Sequence, residues 1–319
     1  MVRNILFLLL FSIIGLFSNE NQKNKIIGIY SMNRDLYINE IGIPEKNPLT
    51  KGFKDCSPSW SKTNNMIVFL RINNDAENAQ DWLTTICVIK TDGTGFKELT
   101  EKKKYSDFNP IWTRDGSNMI IFSRIEKDTG KWYIYMTKPD ANPGEEIFIS
   151  DRKDSEFAHT CAKDGRILIG SSKGDFYKGI YYMLTPNLKG KGKYERIKFT
   201  YNPGGMPLRV SLSPSETKIT YECAKDYDAG SYVNHSLVVA DFNINNLIWS
   251  NPVEFKNSQS GILNLFPRWI KDESAIIYNS NQSGINQLYM YKFENKKTTC
   301  VSLNKKGEYG FFCGKETPY

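Results

Sequence analysis

The chain has 319 residues, of which 40% are apolar, 24% charged and 13% aromatic, with a formal net charge of +7. This is globular composition with enough length for a large core, and it excludes a disordered or collagen-like chain. The lysine-rich stretches "EKKKY" at 101–105 and "NLKGKGKYER" at 187–196 read as solvated loops, so no nucleic-acid partner is expected.

Residues 1–18, "MVRNILFLLLFSIIGLFS", carry one basic residue, Arg3, and an apolar run from Ile5 to Phe17. That run is short for a membrane span and suits the core of a secretory signal. Cleavage near Ser18 is expected. It would leave an exported chain, periplasmic or secreted, with no transmembrane span; an uncleaved anchor is the other reading.

The remainder favours strands: it is rich in aromatic and β-branched residues and lacks a sustained apolar period of 3.6. Residues 25–50 hold "KIIGIYS", "RDLYINEI" and "NPLT", which read as three strands. A unit then recurs. "CSPSWSKTNNMIVFLR" at 56–71, "NPIWTRDGSNMIIFSR" at 109–124 and "LFPRWIKDESAIIYNS" at 265–280 share a proline, a tryptophan, a turn and an apolar run. Two worn copies, at 157–172 and 208–223, have Cys161 and Leu212 at the tryptophan position. The marker positions 60, 112, 161, 212 and 269 are 52, 49, 51 and 57 residues apart. After each copy comes a third apolar strand, such as "KWYIYMT", and a short last strand, such as "KELT" or "IFIS".

Four strands joined by tight turns and repeated at this period predict the blades of a β-propeller. "GEYGFFCGK" at 307–315 is a strand without a blade of its own. Paired with the partial unit at 25–50, it would close the ring from both termini and remove the open strand edges. The expected fold is all-β: a six-bladed β-propeller with four antiparallel strands per blade, over residues 25–319. Each marker tryptophan is expected to fill the space between adjacent sheets.

The pattern P-x-W-S-x-D-G…I-x-F-x-S…I-Y-x-M…L-T resembles the TolB-type β-propeller repeat, over about residues 25–319. In TolB the propeller follows an N-terminal domain and binds protein partners of the cell envelope. The resemblance does not include that domain, so it implies the fold, and TolB's own role is not carried over.

Motifs that could carry chemistry are few. "GSSKG" at 170–174 spells G-x-S-x-G, but that motif needs a strand-to-helix turn, and here it ends a second strand. His159 and His235 are the only histidines and are too separated for a histidine-rich metal site. No catalytic residue, metal or cofactor is expected. Five positions before the markers stand Asp55, Asp107, Glu156, Pro207 and Asn264. In a ring these would surround one mouth of the channel. The three acids would form a rim for a cationic peptide or metal ion, or each would cap its own turn. His159, at a proline position of an inner strand, and Arg268, beside Trp269, complete the channel-mouth candidates. Trp82, Trp132 and Trp249 read as inter-sheet contacts, with sugar stacking as the alternative.

The six cysteines show no C-x-x-C spacing. Cys56 and Cys313 would lie where the ring closes and are the candidate disulfide pair; the rest read as buried thiols. The expected function is a monomeric, non-catalytic scaffold for a protein or peptide. The alternative is a carbohydrate-active, sugar-binding or metal-binding propeller that uses its central channel.

Overall fold

The computed structural model describes residues 25–76, 81–150, 154–172, 180–185, 195–198, 206–224, 227–228, 231–232, 235–255, 261–304 and 306–315. The expected secretory segment lies outside them, as do the last two residues of "GSSKG" and the side chain of His235.

Five four-stranded antiparallel sheets follow one another. Blade 1 is Asp55–Trp60, Met66–Ile72, Thr84–Lys90 and Lys97–Glu98; blade 2 is Ser106–Trp112, Ile120–Glu126, Lys131–Thr137 and Ile147–Phe148. Blade 3 is Ser155–Cys161, Ile167–Ser172, Ile180–Thr185 and Glu195–Lys198; blade 4 is Met206–Leu212, Lys218–Ala224, His235–Asn243 and Ile248–Phe255. Blade 5 is Asn264–Trp269, Ala275–Ser280, Gln287–Lys292 and Lys297–Cys300. A closing sheet joins Tyr309–Gly314 to Ile27–Met32 and Asp35–Glu40. Each first strand touches the next around the ring, and Tyr309–Gly314 returns to Asp55–Trp60. The architecture is a β-propeller in which both ends of the chain share the closing sheet.

The closing sheet corrects one expectation, because it has three strands and not four. "NPLT" forms a single link in place of a ladder: Leu49 N–H donates to Leu36 O, and Leu36 N–H donates to Thr50 Oγ1 at 3.2 Å. The same link explains why the repeat ends in an apolar residue and then Thr or Ser. Ile86 N–H donates to Thr100 Oγ1, Ile134 N–H to Ser150 Oγ and Leu288 N–H to Ser302 Oγ. The hydroxyl satisfies a buried third-strand donor that the short fourth strand leaves unpaired.

The turn residues act locally. Gly116 and Gly165 stand at φ 84° and 85°, where glycine carries no steric penalty, and the Asp before each accepts a backbone N–H two residues on. In blades 4 and 5, Glu216 and Glu273 occupy that position at φ 65° and 59°.

The tryptophans tie blades together by more than bulk. Trp112 Nε1–H donates to Ser59 O at 3.0 Å, and Trp269 Nε1–H donates to Ser211 O at 3.2 Å. Each indole thus reaches the inner strand of the preceding blade. Burial follows the same logic. Separate apolar clusters lie between blades 1 and 2, 3 and 4, 4 and 5, and between blade 5 and the closing sheet. Stability therefore resides in blade-to-blade contacts. At the closure Gly28 lies under Phe312, where a Cβ would sit 2.3 Å from the ring.

Candidate functional site

The first strands share a bulge three residues before the marker. Ser57, Asn109, Arg209, Phe266 and Phe311 all take positive φ, between 44° and 55°, beside register shifts in their ladders. A bulge re-aims its side chain. For a bulky residue such as phenylalanine this conformation is a true outlier, and such strain gathers at functional sites. Phe311 also fixes the alignment of the last strand: Gly314 takes the marker position and Tyr309 the position five before it.

Asp55 and Asp107 do not open onto the channel, nor do they cap their own turns. Both are fully buried and paired with the arginine opposite them on the second strand. Arg71 donates from Nε and Nη2 to the two Asp55 oxygens at 2.7 and 2.9 Å. Arg124 does the same to Asp107 at 2.6 and 3.0 Å. The guanidiniums are also sandwiched by aromatic rings. Arg71 lies 3.7 Å from the Phe53 ring and 4.7 Å from Phe96; Arg124 lies 3.7 Å from Tyr105 and 4.8 Å from Tyr135. Burial works against the charge of Arg124, and Asp107 more than offsets it, so its pKa is raised and it stays charged. The acids are thus locked into blade structure. The missed partners, Arg71 and Arg124, were visible as "LRI" and "SRI" at equivalent places in two copies.

Glu156 is buried in register with Ser171, and Asn264 with Ser280. His159 is buried against Phe157, ring centroids 5.4 Å apart, and its Nδ1 accepts from Val210 N–H at 3.4 Å. Burial, with the charges of Arg209 and Arg268, pushes its imidazole down to about 3. Arg268 is buried and donates to Pro267 O. Among the described residues no group of three or more His, Cys, Asp or Glu is placed to share a metal ion. No disulfide joins Cys56 and Cys313, which are buried in different apolar clusters. Burial raises the Cys56 thiol to about 12.

The side chains that do reach the mouth are aromatic. Trp82, Phe108, Trp132 and Phe157 form a half-buried chain along blades 1 to 3, with successive centroids 6.4, 4.9 and 5.4 Å apart. Across the ring Phe266 and Phe311 meet at 4.1 Å. Arg209 covers the Phe266 ring at 4.2 Å and pairs with Glu222, whose Oε1 accepts the Phe266 N–H at 2.6 Å. A cavity of about 270 Å³ opens at this mouth between blade 1, blade 5 and the closing sheet, walled by Trp82, Phe266 and Phe311. Trp82 therefore lines a cavity, whereas Trp132 packs between Phe108 and Phe157 of adjacent blades.

The opposite end is drawn together. Arg114 of blade 2 pairs with Glu216 of blade 4 at 3.0 Å, and Glu216 Oε1 also accepts Lys163 N–H of blade 3. Arg114 donates further to Cys161 O and Pro214 O. The cavity lies at the other, aromatic end, which makes that end the candidate ligand face.

No protein-family model and no curated protein matches the chain in sequence. Solved structures do match in shape. TolB from Acinetobacter baumannii superposes with a TM-score of 0.64 at 16% identity, over 91% of this chain and 66% of that one. A putative TolB from Agrobacterium tumefaciens gives 0.56 at 10% identity, over 91% and 90%. An oligogalacturonate lyase in complex with manganese gives 0.53 at 12% identity, over 81% and 73%. The chain thus spans about two thirds of the Acinetobacter protein, and identities this low speak to fold alone. The repeat, the closing sheet and these superpositions agree: the chain has the TolB-like β-propeller fold.

Proposed function

We propose that this protein is an exported, monomeric, non-catalytic scaffold that binds a protein or peptide partner at the aromatic mouth. The closing sheet serves as the sixth blade, and residues 1–18 direct export and are removed. The observation that carries the reading is the aromatic mouth itself, with Phe266 and Phe311 in strained backbone and Phe266 N–H bonded to Glu222 of the preceding blade. Aromatic side chains supply large contact area at low entropic cost, and a rigid rim loses little freedom on binding.

The rival reading, a sugar- or metal-binding enzyme, draws on the likeness to the lyase. The placement of His159 speaks against it: the ring is buried, neutral and committed to Val210.

The test is crosslinking capture from the envelope fraction of the native organism, comparing the wild-type chain with Trp132→Ala and Phe157→Ala. A partner retained by the wild type and lost by both variants supports the reading. Equal capture by all three overturns it. Cell fractionation and N-terminal sequencing of the purified protein test export, with Asn19 expected as the first residue.

A further inference from the structure

The wall of the cavity beside Phe266 and Phe311 includes Asn279, whose buried side chain holds a polar atom that the fold does not use. Asn279 is 2% exposed. Its Nδ2–H donates to Tyr309 O at 2.9 Å, which fixes the orientation of the amide. Its Oδ1 is then a buried acceptor with no hydrogen-bond donor. A buried acceptor without a donor is costly, and native proteins seldom keep one without a use.

The rest of the wall narrows what could supply the donor. Trp82 commits its indole N–H to Ala76 O at 2.9 Å, so only its ring surface is left for a ligand. Phe266 and Phe311 add apolar surface. At the rim the exposed Arg34 guanidinium lies 5.6 Å from the Trp82 ring and offers donors to an incoming acceptor. The Glu308 carboxylate at the same rim already accepts from Asn286 at 3.2 Å.

Size matters too. A volume of about 270 Å³ falls below the roughly 300–1,000 Å³ of sites for drug-sized ligands. One large side chain and its adjoining backbone fit; several sugar rings do not. The cavity therefore combines one buried acceptor, one rim donor and aromatic walls. This set matches a single peptide unit: N–H to Asn279, C=O to Arg34, and an apolar side chain against the rings.

Building on the partner-binding reading, we propose that this cavity anchors one apolar residue of an extended peptide segment, with its backbone N–H bonded to Asn279 Oδ1.

The test uses N-acetyl-phenylalaninamide and its analogue methylated on the phenylalanine nitrogen, titrated into the whole chain. The Trp82 indole N–H resonance is followed by NMR. The expected result is saturable movement with the first compound and at least about tenfold weaker binding of the methylated one. Asn279→Leu is expected to abolish the difference between the two compounds. Arg34→Gln, at an exposed position, is expected to weaken the first compound about threefold or more without altering the fold. Equal binding of both compounds to the wild type overturns the proposal, since Oδ1 would then be served by water. It is equally overturned if neither compound moves the resonance, or if N-acetylglucosamine alone does. The two readings separate cleanly. A captured partner indifferent to Arg34→Gln, with no probe binding, sinks this assignment and spares the scaffold role; probe binding without any captured partner does the reverse.

Discussion

His159 makes the acid sensitivity of this fold calculable. In the unfolded chain a histidine titrates near 6.5, and in the folded protein burial lowers His159 to about 3. Between these values the unfolded state binds a proton that the folded state refuses, so stability falls as pH falls. The stabilisation from the neutral ring is complete above about pH 6.5 and is lost at about 1.4 kcal/mol per pH unit below it. Moving from about pH 7.5 to about pH 4.5 should therefore cost about 2.7 kcal/mol from this residue alone. That is a large share of the roughly 5–15 kcal/mol typical of a domain. Substitution His159→Gln keeps a polar, hydrogen-bonding side chain and removes the titration. Urea unfolding of both proteins at the two pH values isolates the effect, because every carboxylate contributes equally to each. The wild type should lose about 2–3 kcal/mol more than the variant over this range. Parallel pH profiles for the two proteins would refute the reasoning, and with it the burial of the ring.

Other consequences can be checked by the same unfolding measurements. Asp55→Asn strands the buried Arg71 guanidinium and should cost about 3–5 kcal/mol, while the apolar pair Asp55→Leu with Arg71→Met should recover most of that loss. Thr100→Val removes the hydroxyl that receives Ile86 N–H and should cost about 1–3 kcal/mol, with the fold retained by circular dichroism. Gly28→Val would drive a side chain into the Phe312 ring, so limited proteolysis should cut the chain termini faster than in the wild type. With its thiol raised to about 12, Cys56 should resist alkylation in the native state and react only on unfolding.

Much of the architecture was legible because its signals are local. A proline and tryptophan on one strand, an Asp-Gly turn and an apolar alternation each act within a few residues, and five copies in register leave little freedom in the fold. The terminal strands could be matched to each other because a ring left open would expose two edges. The missing ladder at "NPLT" was less visible, since a hydroxyl link and a paired strand share the same Leu-Thr ending. The site was harder still. Asp55 and Asp107 occupy equivalent positions in the repeat, which suggested a shared rim. Their partners Arg71 and Arg124 stand 16 and 17 residues away and become neighbours only through strand register. Phe266 and Phe311 look like ordinary core residues until the bulge turns them toward the mouth.

By itself, then, the sequence determined the blade, its period and the way the two ends of the chain meet, because turn chemistry and strand alternation are short-range. Only the tertiary structure decided which charges are spent within blades and which surface is left for a ligand. Ion pairs, inter-blade bonds and the Asn279 cavity are built from residues that ring closure brings together, and no local pattern records them.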